Sequence, residues 1–198
     1  MKVLGILGSP RKKGNSALLL MRCLEGAAAA GAEVQTIKAA GMKISGCLEC
    51  GGCDETGQCV VMDEMQDVYP LIEEARRIVI AAPIFFYGFP SQLKALIDRA
   101  QALWSRRQIE KTAAQRKTHD SGQGYLIAVG ATRGDNLFEG CELVARYFYD
   151  AADMDYRGGL FFRRVDKKGA IGEVPGALDQ AYELGMRIAG VDRRPANS

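Results

Sequence analysis

Four of the six cysteines in this chain lie in one short, glycine-rich stretch, residues 46–59. Two residues separate Cys47 from Cys50 and Cys50 from Cys53, and five residues separate Cys53 from Cys59. Thiols at this density can form disulfides, bind zinc, hold an iron–sulfur cluster or act as a redox-active pair. The spacing and the surrounding sequence help to distinguish between these kinds of chemistry.

The spacing of the cysteines argues against zinc and against disulfides. Structural zinc sites use two CxxC pairs held far apart in sequence, and this compact stretch does not provide them. The chain begins with an apolar run that is typical of a buried strand and lacks the cleavage site of an export signal, so we expect a reducing cytoplasm, where disulfides are disfavoured. A CxxCxxC run can wrap three corners of a cubane cluster, with a fourth thiolate from nearby. A cluster and a cluster-free set of structural or redox-active thiols both stay open.

Composition places the chain among ordinary globular proteins. Its 198 residues predict a single domain, 1–198, with the cysteine-rich loop as an insert at about 45–62. Apolar residues make up 47% and charged residues 25% of the chain. A formal net charge of +2 is too balanced to indicate a nucleic-acid partner, and no apolar run is long enough to suggest a membrane span.

Short apolar runs alternate with segments of helical periodicity, which predicts an α/β fold. The predicted strands are residues 3–7, 33–37, 77–83, 125–130 and 156–162. Five such strands separated by helices form a parallel sheet that is covered by helices on both faces. Ligands bind such sheets beyond the carboxyl ends of the strands, so the chemistry should lie in loops 8–16, 45–62, 83–90 and 131–136.

The loop GSPRKKGNS, residues 8–16, has the composition of a phosphate site. Ser9 and Ser16 supply hydroxyls, Arg11 supplies a cation, and Asn15 begins a predicted helix whose N-terminus attracts anions. The loop is neither a P-loop nor a GxGxxG motif. The alternative is an ordinary strand-to-helix turn in which Asn15 is only a cap.

Two further loops complete a candidate pocket at the same sheet edge. The stretch PIFFYGFPSQLK, from residue 83, crowds Phe85, Phe86, Tyr87 and Phe89 into one loop, which indicates a flat ligand, whereas the alternative is packing beneath the loop or at a dimer contact. The stretch ATRGDN, residues 131–136, adds polar groups. A phosphate cradle, an aromatic wall and a polar turn suit a flat ring that carries a phosphate, such as FMN.

The motif GSPRKKGNS, with PIFFYGFPSQLKALIDR after a later buried strand, resembles the NAD(P)H-dependent FMN reductases of the flavodoxin-like superfamily. The resemblance covers nearly the whole chain. It implies a flavodoxin-like three-layer sandwich with sheet order 2-1-3-4-5, FMN as cofactor and NAD(P)H as cosubstrate. The cofactor-binding residues that it implies are Ser9, Arg11, Gly14, Asn15, Ser16, Pro83, Ile84, Phe85, Phe86, Gly88, Ala131, Thr132, Arg133 and Gly134.

The cysteine spacing is similar to the compact motif of the iron–sulfur flavoproteins, a branch of the same superfamily. That similarity implies a [4Fe-4S] cluster on Cys47, Cys50, Cys53 and Cys59, close to the flavin. We therefore expect an FMN-dependent oxidoreductase that transfers electrons from NAD(P)H or a ferredoxin-type donor to a small acceptor, without a catalytic side chain. The alternatives are a cluster-free NAD(P)H:FMN or quinone reductase and a non-enzymatic electron carrier. The resemblance also implies a homodimer or homotetramer.

The remaining residues are assigned structural roles. The polar segment 105–124 is expected to be a mobile connection, and its basic residues a solvated surface: Arg106, Arg107, Arg116 and Lys117. Cys23 and Cys141 fall in predicted helices and are expected to be buried thiols. Arg99 lies within the segment 91–104, which is predicted to be helical, and is expected to make local helix or interface contacts.

Overall fold

A computed structural model describes residues 1–190 of the chain. Within them, five parallel strands form one sheet: β1 (Lys2–Leu7), β2 (Glu33–Lys38), β3 (Arg77–Pro83), β4 (Gly122–Val129) and β5 (Met154–Phe162). The sheet order is β2-β1-β3-β4-β5, which confirms the expected flavodoxin-like topology. The predicted domain, 1–198, also includes residues 191–198, which lie outside the described residues.

Helices cover both faces of this sheet. They are α1 (Asn15–Ala29), α2 (Met65–Glu74), α3 (Ser91–Asp98), α4 (Gln101–Glu110), α5 (Glu139–Ala151) and α6 (Ala177–Ala189). α1 and α6 pack on one face, and the other four pack on the opposite face. Within residues 1–190, no helix combines the length and the apolar character needed to cross a bilayer.

The central strand β3 shows why the sheet is buried on both sides. Val79 and Ala81 point towards α1 and α6, whereas Ile78, Ile80 and Ala82 point towards the other helices. All five side chains are buried, as the strand's continuous apolar run predicts for a parallel sheet. The hydrophobic burial on the two faces holds the strand ends, and hence the loops that follow them, in fixed positions.

Backbone pairing continues past the carboxyl ends of the strands. Gly8 N donates to the Ala81 carbonyl at 2.8 Å, Ile84 N donates to the Val129 carbonyl at 2.9 Å, and Gly130 N donates to the Phe162 carbonyl at 2.8 Å. The loops after β1, β3, β4 and β5 therefore start from one edge of the sheet. This is the edge at which such folds bind their ligands.

Only part of the polar segment 105–124 is the connection that its composition predicts. α4 extends through Glu110, and β4 already begins at Gly122. The helical face predicted at 91–104 also divides into α3 and α4, with a break at Arg99 and Ala100.

Arg107 explains why this segment is ordered. The prediction that this residue belongs to a solvated surface is wrong. Its side chain is buried and forms ion pairs with Asp150 at 2.9 Å and with Asp153 at 2.8 Å. It also donates to the carbonyls of Arg116 and Thr118 at 2.8 and 3.1 Å. A guanidinium has five N–H donors in a fixed fork, so one side chain can tie α4, α5 and the following segment together.

Candidate flavin and cysteine sites

The loops after β1, β3 and β4 enclose a cavity of about 90 Å³ at the carboxyl edge of the sheet. Ser9 and Ser16 are buried in its wall, and Arg11 stands exposed at its rim. The predicted cofactor-binding residues that line it are Ser9, Arg11, Gly14, Asn15, Ser16, Pro83, Ile84, Phe85 and Ala131. The cavity suits a group the size of a phosphate, and the remainder of FMN would lie outside it.

The N-terminus of α1 borders this cavity through Gly14, Asn15 and Ser16. No side chain caps the helix, and its first turn contains no acidic residue. The first N–H groups of a helix lack partners within the helix, and the helix dipole favours a negative charge beside them. A Cβ added at Gly14 would lie 3.2 Å from the Ser9 Oγ, so the glycine keeps the cradle open. The residues here fit the phosphate end of FMN.

The segment after β5 adds a cation to this cavity that sequence reasoning missed. Asn15 Nδ2 donates to the Lys167 carbonyl at 3.0 Å, and Asn15 Oδ1 accepts from Ile171 N at 3.3 Å. These bonds hold the segment against α1, where Asp166 and Lys168 line the cavity. The basic run RRVDKKG, residues 163–169, directly after the last strand, is the signal that could have indicated it. Asn15 thus positions a second loop besides lining the cavity.

The aromatic loop is a tight and strained hairpin. Phe85 N donates to the Gly88 carbonyl and Gly88 N donates to the Phe85 carbonyl, both at 2.9 Å. The two residues between them, Phe86 and Tyr87, have φ angles of +50° and +61°. Non-glycine residues in this region cost roughly 1–2 kcal/mol each, and such strain concentrates at functional sites. The Phe86 side chain is fully exposed. Neither Phe86 nor Gly88 lines the cavity.

The third loop contacts the aromatic loop through Tyr87. A Cβ added at Gly134 would lie 2.4 Å from Tyr87 Oη, so a larger residue at this position would displace the end of the Tyr87 side chain. Ala131 lines the cavity, whereas Thr132, Arg133 and Gly134 lie outside its wall. The structure therefore gathers the phosphate-binding candidates into one cavity and leaves part of the expected ring-binding surface open beside it.

The four clustered cysteines surround a second, larger cavity of about 630 Å³. Cys47 and Cys50 are exposed, and Cys53 and Cys59 are half-buried. The opposite wall comes from the α3–α4 junction, namely Asp98, Arg99, Gln101 and Ala102. None of the cysteines within residues 1–190 forms a disulfide. The two cavities share no lining residue.

The four cysteines that line this second cavity match the number of thiols that a cubane cluster requires. Among the described residues, no three cysteine, histidine or acidic side chains are grouped closely enough to hold one metal ion. A cubane places four thiolates at separate corners, and four cysteines around one cavity are the set that a [4Fe-4S] cluster requires. Two sulfur atoms already accept hydrogen bonds: Glu49 N donates to Cys47 Sγ at 3.4 Å, and Ser105 Oγ donates to Cys53 Sγ at 3.6 Å. Hydrogen bonds to sulfur are a recurring feature of iron–sulfur sites.

Arg99 binds both ends of the cysteine loop. Only local helix or interface contacts were expected for this residue from the sequence. Arg99 Nη1 donates to the Ser45 carbonyl at 3.1 Å and to Asp63 Oδ2 at 2.8 Å, and Nη2 donates to the Val61 carbonyl at 3.1 Å. Burial opposes the ionisation of Asp63, but Arg99 and the amides of Ser45 and Met65 outweigh it and hold the pKa of this carboxyl at about 2. The pair therefore stays charged at neutral pH.

Comparison with known proteins identifies the family of the chain. The profile of the NADPH-dependent FMN reductase family matches residues 1–137. An iron–sulfur flavoprotein of Methanocaldococcus jannaschii is 29% identical over 206 residues, which cover 96% of this chain and 97% of that protein. A second iron–sulfur flavoprotein of the same organism is 31% identical over 151 residues, or 76% of this chain and 70% of that protein.

A solved structure supports the fold independently. The NAD(P)H:quinone oxidoreductase from Methanothermobacter marburgensis superimposes with a TM-score of 0.72 at 14% identity, covering 96% of this chain and 97% of that one. At this identity the likeness concerns the fold alone. Together with the profile match, the relatives assign the chain to a family of oxidoreductases. The chain belongs to the NADPH-dependent FMN reductase family and is related along its length to iron–sulfur flavoproteins.

Proposed function

We propose that this protein is an FMN-dependent oxidoreductase that transfers electrons from NAD(P)H or a ferredoxin-type donor to a small acceptor, with a [4Fe-4S] cluster on Cys47, Cys50, Cys53 and Cys59. The observation that carries the proposal is the arrangement of all four cysteines around one cavity. The phosphate cradle at the sheet edge supports FMN as the second group.

In this proposal the phosphate cradle anchors FMN and the aromatic loop borders its ring. Ser9 and Ser16 donate hydroxyl hydrogen bonds to the phosphate, while the two cations Arg11 and Lys168 outweigh the single carboxylate, Asp166, that also lines the cavity. Bound FMN supplies both two-electron and one-electron redox chemistry, so the chain need not provide an acid or base. The task of the protein is to bind the ring, orient it and adjust its potential.

The cysteine loop is proposed to be an electron port. A [4Fe-4S] cluster supplies single-electron transfer when it is bound. Cys47 and Cys50 lie on the exposed side, where an external protein can approach, and Cys53 and Cys59 lie against the α3–α4 junction. Arg99 fixes the loop ends at Ser45 and Val61, which limits how far the four thiols can move apart.

Anaerobic purification followed by spectroscopy and analysis of iron and sulfide tests the proposal. We expect a flavin spectrum with added broad absorbance that bleaches on reduction, and about four irons per chain. Cys53→Ser should lose iron, whereas the matched variant Cys23→Ala, which changes a core thiol outside the loop, should keep it. NADPH oxidation with an artificial acceptor then identifies a direct nicotinamide donor.

Each outcome of that experiment supports a different function. Bound FMN without iron or sulfide would make the protein a cluster-free reductase with structural or redox-active thiols. Bound cofactors without turnover of any nicotinamide would leave a ferredoxin-type donor or an electron carrier. Failure to bind FMN would refute the proposal entirely.

A further inference from the structure

Ser105 is a buried hydroxyl directed at a thiol. It lies on α4, its side chain is 2% exposed, and its Oγ donates to Cys53 Sγ at 3.6 Å. Its neighbour on the helix, Arg106, contacts Gly57 of the cysteine loop so closely that a Cβ on Gly57 would lie 2.7 Å from the Arg106 Cα. α4 therefore packs closely against the cysteine loop beside this bond.

Arg99 presents an unused donor at the same cavity. Its side chain is 1% exposed and lines the cavity, and four of its contacts occupy Nη1 and Nη2. Its Nε–H has no acceptor among the described residues. A buried donor without a partner is costly, and such groups are rare in folded proteins. A cluster sulfur that came within reach of Nε would remove this cost.

The charge of Arg99 also reaches the thiols. Burial lowers the pKa of the guanidinium, but Asp63, Tyr69 and Cys59 together raise it above its ordinary value. Arg99 thus stays positively charged beside Cys59, and the side chain combines a fixed charge with a free N–H. Ser105 on the next helix approaches Cys53.

We infer that Ser105 and Arg99 are positioning residues that raise the reduction potential of the cluster, by donating hydrogen bonds to sulfur on the Cys53 and Cys59 sides of the cavity. The inference rests on the proposed function, because it requires the cluster. Reduction adds one electron to the oxidised cluster, with no bond broken and no proton moved. Donors and positive charge near sulfur stabilise that added negative charge, so they favour the reduced form.

The test compares midpoint potentials in anaerobic redox titrations that are followed by visible absorbance and electron paramagnetic resonance. Ser105→Ala should lower the ratio of reduced to oxidised cluster at a fixed potential by roughly three- to tenfold, where tenfold corresponds to about 59 mV for one electron. Ser121→Ala is the matched control, because its hydroxyl bonds to Asp153 rather than to a thiol. The FMN couple in the same sample should stay unchanged and serves as an internal reference.

Two further variants keep the inference falsifiable if Ser105→Ala loses its cluster. Ser105→Thr retains the hydroxyl and should retain the wild-type potential. Arg99→Lys retains the charge but removes Nε, and should shift the potential in the same direction as Ser105→Ala. Wild-type protein with iron and sulfide, but with equal potentials in all variants, would overturn the inference and leave the proposed function intact. Wild-type protein without iron would overturn both.

Discussion

Arg99 Nη1 lies 2.8 Å from Asp63 Oδ2, in an ion pair whose arginine side chain is 1% exposed and whose aspartate side chain is 16% exposed. The same carboxylate oxygen accepts from both the backbone N and the hydroxyl of Ser45, each at 2.9 Å. Asp63 thereby joins the start of the cysteine loop to its end, while Arg99 fixes that junction to the helices beneath. This ion pair therefore ties both ends of the loop to one point of the fold.

Asp63→Ala should destabilise the fold strongly. It leaves a buried guanidinium without its partner, which typically costs about 3–5 kcal/mol. Urea unfolding followed by circular dichroism measures this change. Asp67→Ala is the control, because it removes an exposed carboxylate from the first turn of α2, only four residues away. Equal losses in both variants would show that the ion pair contributes little.

The same carboxyl predicts acid sensitivity in a defined range. The pKa of Asp63 is lowered from 3.8 to about 2, so the unfolded state binds the proton more readily than the folded state does. Its contribution is therefore fully present above about pH 4 and is lost as the pH falls through about 2; this shift corresponds to about 2 kcal/mol. Between pH 4 and pH 2, the urea midpoint of the cofactor-free protein should fall further for the wild type than for Asp63→Ala. An equal fall of the urea midpoint in both proteins would contradict the prediction.

Local patterns were sufficient to predict the strands, because the apolar pattern that identifies each strand lies in its own residues. The run at 77–83 is apolar on both faces, which is the pattern expected of a strand that helices cover on both sides. The phosphate loop was equally local, since its hydroxyls, glycine and helix start are adjacent in sequence. Its residues Ser9, Gly14 and Ser16 meet in one cavity.

Long-range partners decided what the sequence could not show. Arg107 lies in a polar, basic segment that is typical of a solvated surface. Its side chain is nevertheless buried and is bound to carboxylates 43 and 46 positions away. Arg99 reaches Ser45 across 54 positions, and Lys168 joins the flavin cavity from beyond the last strand. An isolated charged residue such as Arg99 or Arg107 carries no local signal that distinguishes pairing from solvation, so tertiary structure assigns the roles of these two residues.

Thiol reactivity should divide the six cysteines into two groups. Cys23 and Cys141 are fully buried, and burial raises the pKa of each to about 12, so both stay neutral thiols at pH 8. In cluster-free native protein, an alkylating reagent should modify the other four and reach all six only after denaturation. Mass spectrometry of the labelled peptides provides the count. Rapid labelling of Cys141 in native protein would show that the core opens.

Gly57→Ala should detach the cysteine loop from α4. The residue has a φ of +67°, and an added Cβ would lie 2.6 Å from the Arg106 Cβ. The backbone strain alone costs roughly 1–2 kcal/mol, and the clash pushes the loop away from α4, which weakens the contact between Ser105 and Cys53. We expect lower iron content after anaerobic reconstitution. Gly172→Ala is the control, since nothing lies within 4 Å of its added Cβ. Equal iron content in both would show that the loop tolerates displacement.

Ser16→Ala should weaken FMN binding without unfolding the protein. Ser16 is 2% exposed in the wall of the phosphate cavity, at the first turn of α1. A hydrogen bond to a charged group contributes about 1.5–3 kcal/mol, so the Kd for FMN should rise roughly tenfold to hundredfold. Quenching of flavin fluorescence on titration measures it. Ser91→Ala, at an exposed serine that does not line the cavity, should leave the Kd unchanged. Riboflavin, which lacks the phosphate, should bind both variants equally, and a matching loss for riboflavin would place Ser16 outside the phosphate contact.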